Sequence, residues 1–267
     1  MSVRRGWVVV WFACLGCQSL VALELDGEGN SAGQQLWEQG QQAMRAGRPE
    51  RAVGYYEQSL AADPGFTRNH MSLAAAYLEA GNDEAACVHL AKYVAAHPEH
   101  VIIRSHYAEL LLRLHRCRDA RREFELFVAA AQDQADAMAR HLVHCHTRLM
   151  EIAELEEDDY AAHLHRGIGL YRLACERVGV GDPEGELPVE GLLCKAAIEL
   201  AQARDQRPRE ARPCWYLYKV WAHLAQKQAA LLWLRRACEA APFTELTPAE
   251  QRGLVLACRR EEDRCTR

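Results

Sequence analysis

The residues most able to do chemistry are gathered near the middle of the chain. His141, His144, Cys145 and His146 lie within six positions, and His163 and His165 follow one helix later. On a helix, His141 and Cys145 stand one turn apart and face the same way, the arrangement that metal ligands require. His163 would have to join them across a hairpin, while His144 and His146 point to other sides. The spacing therefore reads as packed or hydrogen-bonded histidines, with no metal and no cofactor assigned. A metal-binding or enzymatic use of His141, His144 and Cys145 stands as the alternative. Glu156-Glu157-Asp158-Asp159 offers paired carboxylates. General acid–base catalysis needs them in a sheltered cleft, however, whereas a run at a helix junction is solvated. Gly179-Val180-Gly181-Asp182-Pro183-Glu184-Gly185 has no preceding strand and no following Lys-Ser/Thr, so it reads as a loop rather than a phosphate cradle. The sequence contains neither Gly-x-Ser-x-Gly nor His-Glu-x-x-His, and no catalytic residue is assigned.

The elements that must position these side chains are helices. The composition is rich in Ala, Leu, Glu, Arg and Gln, all good helix formers, and with 17 Gly and 9 Pro it is poor in turn residues. The formal charge of −5 is spread without long runs. The basic group Arg116, Arg118, Arg121 and Arg122 is interrupted by Asp119, Glu123 and Glu125, which argues against a nucleic-acid surface.

A 34-residue period organises the first half. Ala52, Tyr56, Ser59, Leu60 and Pro64 return as Ala86, Leu90, Tyr93, Val94 and Pro98, then as Ala120, Phe124, Phe127, Val128 and Gln132. Gly40, Ala74 and Ala108 keep the same step, as do Gly47, Gly81 and His115. Small residues let two helices approach, glycine ends the first, and proline stops the second. The pattern resembles the tetratricopeptide repeat (TPR) family, whose unit is a helix–turn–helix. That resemblance implies an all-α, right-handed superhelix of stacked hairpins with a C-terminal capping helix.

Three contiguous units occupy 33–134, and a long helical hairpin covers 135–178. A loop insertion follows at 179–190, then further TPR helices at 191–244 and a capping helix and tail at 245–267. Thr247-Pro248-Ala249-Glu250 is a capped helix start.

The family's groove lies along the first helices, and its positions here carry Trp37, Gln41, Met44, Arg68, Met71, Leu78, Ser105, Glu109 and Leu112. The late unit at 211–244 adds Arg212, Trp215, Lys219, Ala222 and His223. The carboxylate-clamp positions known in some family members hold Trp37 and Gln41, so that activity is not implied. Two readings of the groove stand side by side. It grips an apolar peptide or helix of a protein partner, or Trp37 and Met44 only pack the end of the array. The expected function is a non-enzymatic scaffold or adaptor that binds a peptide or protein. A purely structural, self-assembling module is a further alternative, and the oligomeric state is left open.

The N-terminus reads as an export signal. Arg4 and Arg5 precede the apolar run Gly6–Gly16, too short for a bilayer span of ~20 residues. Cys14-Leu15-Gly16-Cys17 resembles a bacterial lipobox, which implies lipidation of Cys17, although Cys14 stands where the family has Leu. Cleavage after Ala22 and an uncleaved anchor over Val8–Leu23 are the rival readings. Residues 1–23 are thus a signal and 24–32 a linker, with the cell envelope or periplasm as the expected location. Nine further cysteines sit mostly beside Ala and Leu and read as small apolar residues. One or two disulfides fit the same count, with Cys258 and Cys265 free to find partners.

Overall fold

The computed structural model describes residues 31–135, 137–178, 188–244 and 246–265. The sequence readings for the signal, Cys17, most of the linker and the glycine-rich part of the insertion fall outside these residues. Among the described residues the regular elements are twelve α-helices and two short 3-10 turns. They are α1 (Ser31–Arg45), α2 (Pro49–Ala62), α3 (Arg68–Glu79), α4 (Asp83–Ala96), α5 (Val101–Arg113) and α6 (Cys117–Ala131). After them come α7 (Ala139–Leu155), α8 (Asp159–Val178), α9 (Val189–Gln206), α10 (Ala211–His223), α11 (Lys227–Ala240) and α12 (Pro248–Cys265). None of them is long and apolar enough to cross a membrane. The chain divides into two compact units, 1–103 and 104–267.

One backbone device makes the hairpins. In five inter-helix turns a single residue takes positive φ: Gly47, Gly81, His115, Glu157 and Ala225. Each time, the next residue's N–H reaches the carbonyl five positions back: Arg48 to Ala43, Asn82 to Tyr77, Arg116 to Leu111, Asp158 to Ala153 and Gln226 to Trp221. This closure satisfies carbonyls that the helix end leaves open, and it reverses the chain within three residues. Glycine takes the conformation freely, whereas a side chain there costs about 1–2 kcal/mol. Ala225 is exposed, so nothing is lost by removing its methyl group. Ala225→Gly is therefore expected to stabilise the chain by about 1 kcal/mol, raising Tm by roughly 2–4 °C in a thermal melt. An unchanged or lower Tm would contradict the turn geometry.

Unit 1 is built on Ala43, Ala52, Tyr56, Leu73 and Ala76, with Trp37, Met44, Val53, Tyr55, Leu60 and Tyr77 packed around them. Gly40 owes its identity to Tyr56, because a Cβ there would enter the tyrosine ring. Polar ties cross between neighbouring helices. Ser59 Oγ donates to the Gly33 carbonyl at 2.7 Å, and Asn69 Nδ2 donates to the Tyr56 carbonyl at 2.7 Å. Buried polar groups of this kind fix register, since leaving them unpaired costs more than the bond contributes.

Unit 2 has a larger core, with Tyr160, Leu164, Ile168, Tyr171, Leu193, Leu200, Trp215, Tyr216, Leu217 and Leu254 all in one cluster. Within it α8 belongs to two hairpins. It meets α7 through the Glu157 turn, and it meets α9 through Gly167, where a Cβ would lie 2.7 Å from Leu200 Cγ. Gly167 and Leu200 thus repeat the Gly40–Tyr56 contact, which is why α8 and α9 carry repeat spacing although a long insertion separates them. α12 starts with a reciprocal cap. The Thr247 N–H donates to Glu250 Oε2 at 2.9 Å, and the Glu250 N–H donates to Thr247 Oγ1 at 3.3 Å. A disulfide joins Cys238 on α11 to Cys258 on α12. Cys87, Cys145 and Cys214 are buried, whereas Cys194 is exposed.

Candidate functional site

The histidines that open the sequence argument do not converge. His144 Nε2 lies 2.7 Å from Glu109 Oε1, and His163 Nδ1 lies 2.7 Å from Glu199 Oε2. His146 and His165 share one bond, Nδ1 to Nδ1 at 3.1 Å, while His141 leans on the Phe127 ring. Cys145 is fully buried, and burial with the charge of Glu109 pushes its thiol well above the ordinary range. A protonated, buried thiol is a packing residue. In the acidic run, Glu156 and Asp158 both receive Arg121, so these carboxylates serve as ion-pair partners.

The groove positions have separate fates. In unit 1, Trp37 is half-buried, its Nε1–H donating to Ser72 Oγ at 2.8 Å and its ring standing edge-on to Phe66. Met44 packs on the same core, Leu78 is buried, and Arg68 and Met71 are half-buried. Gln41 accepts from Arg45 at 3.5 Å. In unit 2, Ser105 is buried and Leu112 half-buried. Glu109 accepts from both His144 and Arg148, the latter at 2.8 Å. Burial alone would raise the Glu109 carboxyl, but hydrogen bonds from His144 and Arg148 outweigh it and hold the group ionised. Glu109 is thus already engaged within the chain.

Trp215, Lys219, Ala222 and His223 stay together. They line a cleft of about 320 Å³ with Tyr171 of α8, Tyr218 of α10, and Gly253, Leu256, Ala257 and Arg260 of α12. α10 places its four residues there because their spacing of four, three and one keeps them on one helical face. Trp215 is buried and stacks on Tyr218, with ring centroids 5.3 Å apart. α12 can run this close because Gly253 lies against Trp215, where a Cβ would be 2.9 Å from Cζ2. Two charge contacts hold it there: Arg212 Nε to Glu250 Oε2 at 3.1 Å, and Arg252 to Asp133 in the turn after α6.

Lys219 is the electrostatic centre of the cleft. Its Nζ lies 4.6 Å from the Tyr216 ring centroid, 4.8 Å from Trp215 and 6.0 Å from Tyr171, and among the described residues no carboxylate forms an ion pair with it. Burial, assisted by Arg172, pushes the ammonium down to about 8. Aromatic faces compensate part of the lost hydration through their quadrupoles. Beside it, His223 Nδ1 donates to the Lys219 carbonyl at 3.0 Å, leaving Nε2 3.8 Å from Cys175 Sγ. The hydrogen bond to Cys175 raises the imidazole pKa. Burial would raise the thiol, but the bonds from His223 and Tyr171 more than offset it and lower it. A larger depression of about 480 Å³, beside Arg118, Arg121 and Glu156, is polar, and Arg121 and Glu156 pair with each other there.

The sequence reading did not include Tyr171, Tyr218 or any α12 residue in the site. Arg260 of the capping helix lines the cleft too. A signal was present: Gly253, Leu256, Ala257 and Arg260 recur at helical spacing on one face of α12.

A fold of successive antiparallel helix pairs, turned by one repeated closure, defines a helical-repeat protein. The tetratricopeptide repeat family profile matches residues 43–87, spanning the second helix of one unit and the first of the next. That match coincides with the 34-residue register and the hairpins, and it identifies TPR-type repeats in this part of the chain. No curated protein sequence matches it. Among solved structures, Pseudomonas aeruginosa pilF is similar at 14% identity, covering 84% of this chain and 97% of its own, with a TM-score of 0.38. MamA from Desulfovibrio magneticus RS-1 is similar at 16% identity, covering 80% of this chain and 98% of its own, with a TM-score of 0.37. TTC0263, a thermophilic TPR protein of Thermus thermophilus, shows 20% identity over 79% of this chain and 93% of its own, with a TM-score of 0.32.

Proposed function

We propose that this chain is a non-enzymatic scaffold that holds a peptide segment of a protein partner in the cleft between α8, α10 and α12. The observation that carries the reading is Lys219, a half-buried cation walled by aromatic rings and left without a carboxylate. A cation in this state gains by meeting an anion that arrives already partly desolvated. Leu256, Ala222 and Ala257 around it accept apolar atoms. The cleft therefore suits a peptide with a carboxylate next to an apolar side chain. Selection from a displayed peptide library should enrich acidic–apolar sequences. Lys219→Met should weaken the selected peptides by about tenfold or more, from the ~1.5–3 kcal/mol of a charge-assisted bond, with Lys219→Arg losing less. Equal binding by Lys219→Met and the native chain, measured by fluorescence anisotropy, would discard the cleft.

Export to the cell envelope is the second part of this reading. It rests on Arg4, Arg5, the Gly6–Gly16 run and Cys17. Mass analysis of the protein from envelope extracts should show a chain beginning at a lipidated Cys17 or just after Ala22. Recovery of the intact N-terminus from the cytosol would remove it.

A further inference from the structure

The segment His97-Pro98-Glu99-His100 follows α4 and leads into α5, far in sequence from the histidines that attract attention first. One ligand atom from each of His97, Glu99 and His100 lies within 4.8 Å of the others. His97 Nδ1 stands 3.3 Å from Glu99 Oε1, and His100 Nε2 stands 3.8 Å from the same oxygen. Ligands at the ~2.0–2.2 Å bond lengths of tetrahedral zinc are separated by about 3.3–3.5 Å, so one edge of the tetrahedron already has its length and a second is close.

The outer ring nitrogens are held too. His97 Nε2 lies 2.8 Å from Thr67 Oγ1, and His100 Nδ1 lies 2.7 Å from the Tyr93 hydroxyl. When each outer N–H donates to its hydroxyl, the inner nitrogen is left with a lone pair aimed at the Glu99 side. Such outer contacts commonly fix the tautomer of metal-ligating histidines. Tyr93 also stacks on the His100 ring, and the two histidine rings stack on each other, limiting their rotation. His97 is the C-cap of α4, where the last carbonyls give the helix its negative end. Glu99 is 61% exposed, which leaves an entry path and room for a water as fourth ligand.

From this geometry we propose that His97, Glu99 and His100 form a binding site for a first-row divalent cation, zinc foremost, braced by Thr67 and Tyr93. The ion takes His97 Nδ1, His100 Nε2 and a Glu99 oxygen as ligands. It ties His97, at the end of α4, to Glu99 and His100 just after it. Two imidazoles and a carboxylate suit zinc over magnesium or calcium, which prefer all-oxygen shells.

The test uses the full chain with zinc chloride and a competing chromophoric chelator. The native protein should show one micromolar or tighter equivalent more than His97→Ala/His100→Ala, and zinc should raise the Tm of the native chain but not of that variant. Tyr93→Phe should keep the equivalent and weaken it about 10–100-fold. His97 and His100 are partly exposed, and Tyr93→Phe keeps the buried ring while removing only its hydroxyl, so circular dichroism of the variants should match the native chain. Zinc uptake through thiols elsewhere would persist in the double variant and be subtracted. Equal zinc uptake by the native and double-variant chains, or binding only at millimolar zinc, would overturn the proposal.

Discussion

Arg212→Ala is expected to destabilise the protein by about 2–4 kcal/mol, lowering Tm by roughly 5–15 °C. Glu250 is 3% exposed, and its carboxylate holds Arg212 as well as the N–H of Thr247. Truncating the arginine leaves a buried anion with one backbone donor, and breaking a buried pair from one side costs about 3–5 kcal/mol. The retained Thr247 bond and the partial exposure of Arg212 set the expected value below the top of that range. The companion variant Arg212→Met/Glu250→Leu should recover most of the loss, short of the ~1 kcal/mol that the cap contributes. Chemical denaturation of the three proteins measures this. A single variant within ~0.5 kcal/mol of the native chain would show that Glu250 is not stranded. The same pair anchors α12 against α10, so the single variant should also loosen the wall of the Lys219 cleft and weaken any peptide held there.

The hairpins were legible because the turn that makes them is local. Gly47, Gly81 and His115 stand 34 residues apart, and each supplies the positive-φ residue of its turn. The next such residue, Glu157, comes after 42, because the 3-10 turn Gln132–Gln134 and the residues behind it enter between α6 and α7. Ala225 follows 68 later, two whole steps, with α8 and α9 filling the interval. No single-residue preference marks Glu157 or Ala225 as left-handed. The spacing from the earlier turns could have found Ala225, but only after the shift at 132–138 was known. The double role of α8 was equally hidden, since Gly167 reads as a first-helix residue while Glu157 makes the same helix the second of a pair.

For the site, helical spacing on α10 was enough to group Trp215, Lys219, Ala222 and His223, because one helix face is a local property. What could not be read was how many groove-position side chains the chain consumes itself. Glu109 meets His144 and Arg148 from α7, and Trp37 meets Ser72 from α3, contacts that depend on tertiary placement. The α12 wall depends on Gly253 allowing close approach to Trp215, which a lone glycine in a helical pattern does not announce. The histidine pairs carry a clearer periodic signal. His70 with His89 and His146 with His165 are each 19 residues apart and face each other through Nδ1, at 3.0 and 3.1 Å. They occupy equivalent places in the α3–α4 and α7–α8 hairpins, 11 residues before and 8 after the positive-φ residue.

Those pairs make the protein acid-labile. Burial lowers His146 far below 6.5 and brings His165 down to about 3, with Arg212 adding repulsion at both. Only one proton can lie between their facing Nδ1 atoms, and His146 Nε2 is buried with no partner to receive a second charge. Above pH 6.5 both rings are neutral whether the chain is folded or not, so they leave stability independent of pH. Below 6.5 the unfolded chain binds protons that the folded chain refuses, so stability falls with pH until the folded pKa near 3 is reached. At pH 5 each ring costs about 2 kcal/mol, hence about 4 kcal/mol for the pair, at 1.36 kcal/mol per pKa unit. His89 and His106, each lowered to about 4 chiefly by burial, add in the same direction. Urea midpoints should therefore drop between pH 7 and pH 5. His146→Leu/His165→Leu, which cannot take up those protons when unfolded, should lose about 4 kcal/mol less over the same interval. An identical pH dependence in the two proteins would mean that the facing rings accept protons in the folded state. The sign also separates this pair from the Lys219 cleft, whose cation is discharged only as pH rises through about 8. Peptide binding should therefore weaken on the alkaline side while the fold weakens on the acid side, two limbs assignable to different residues.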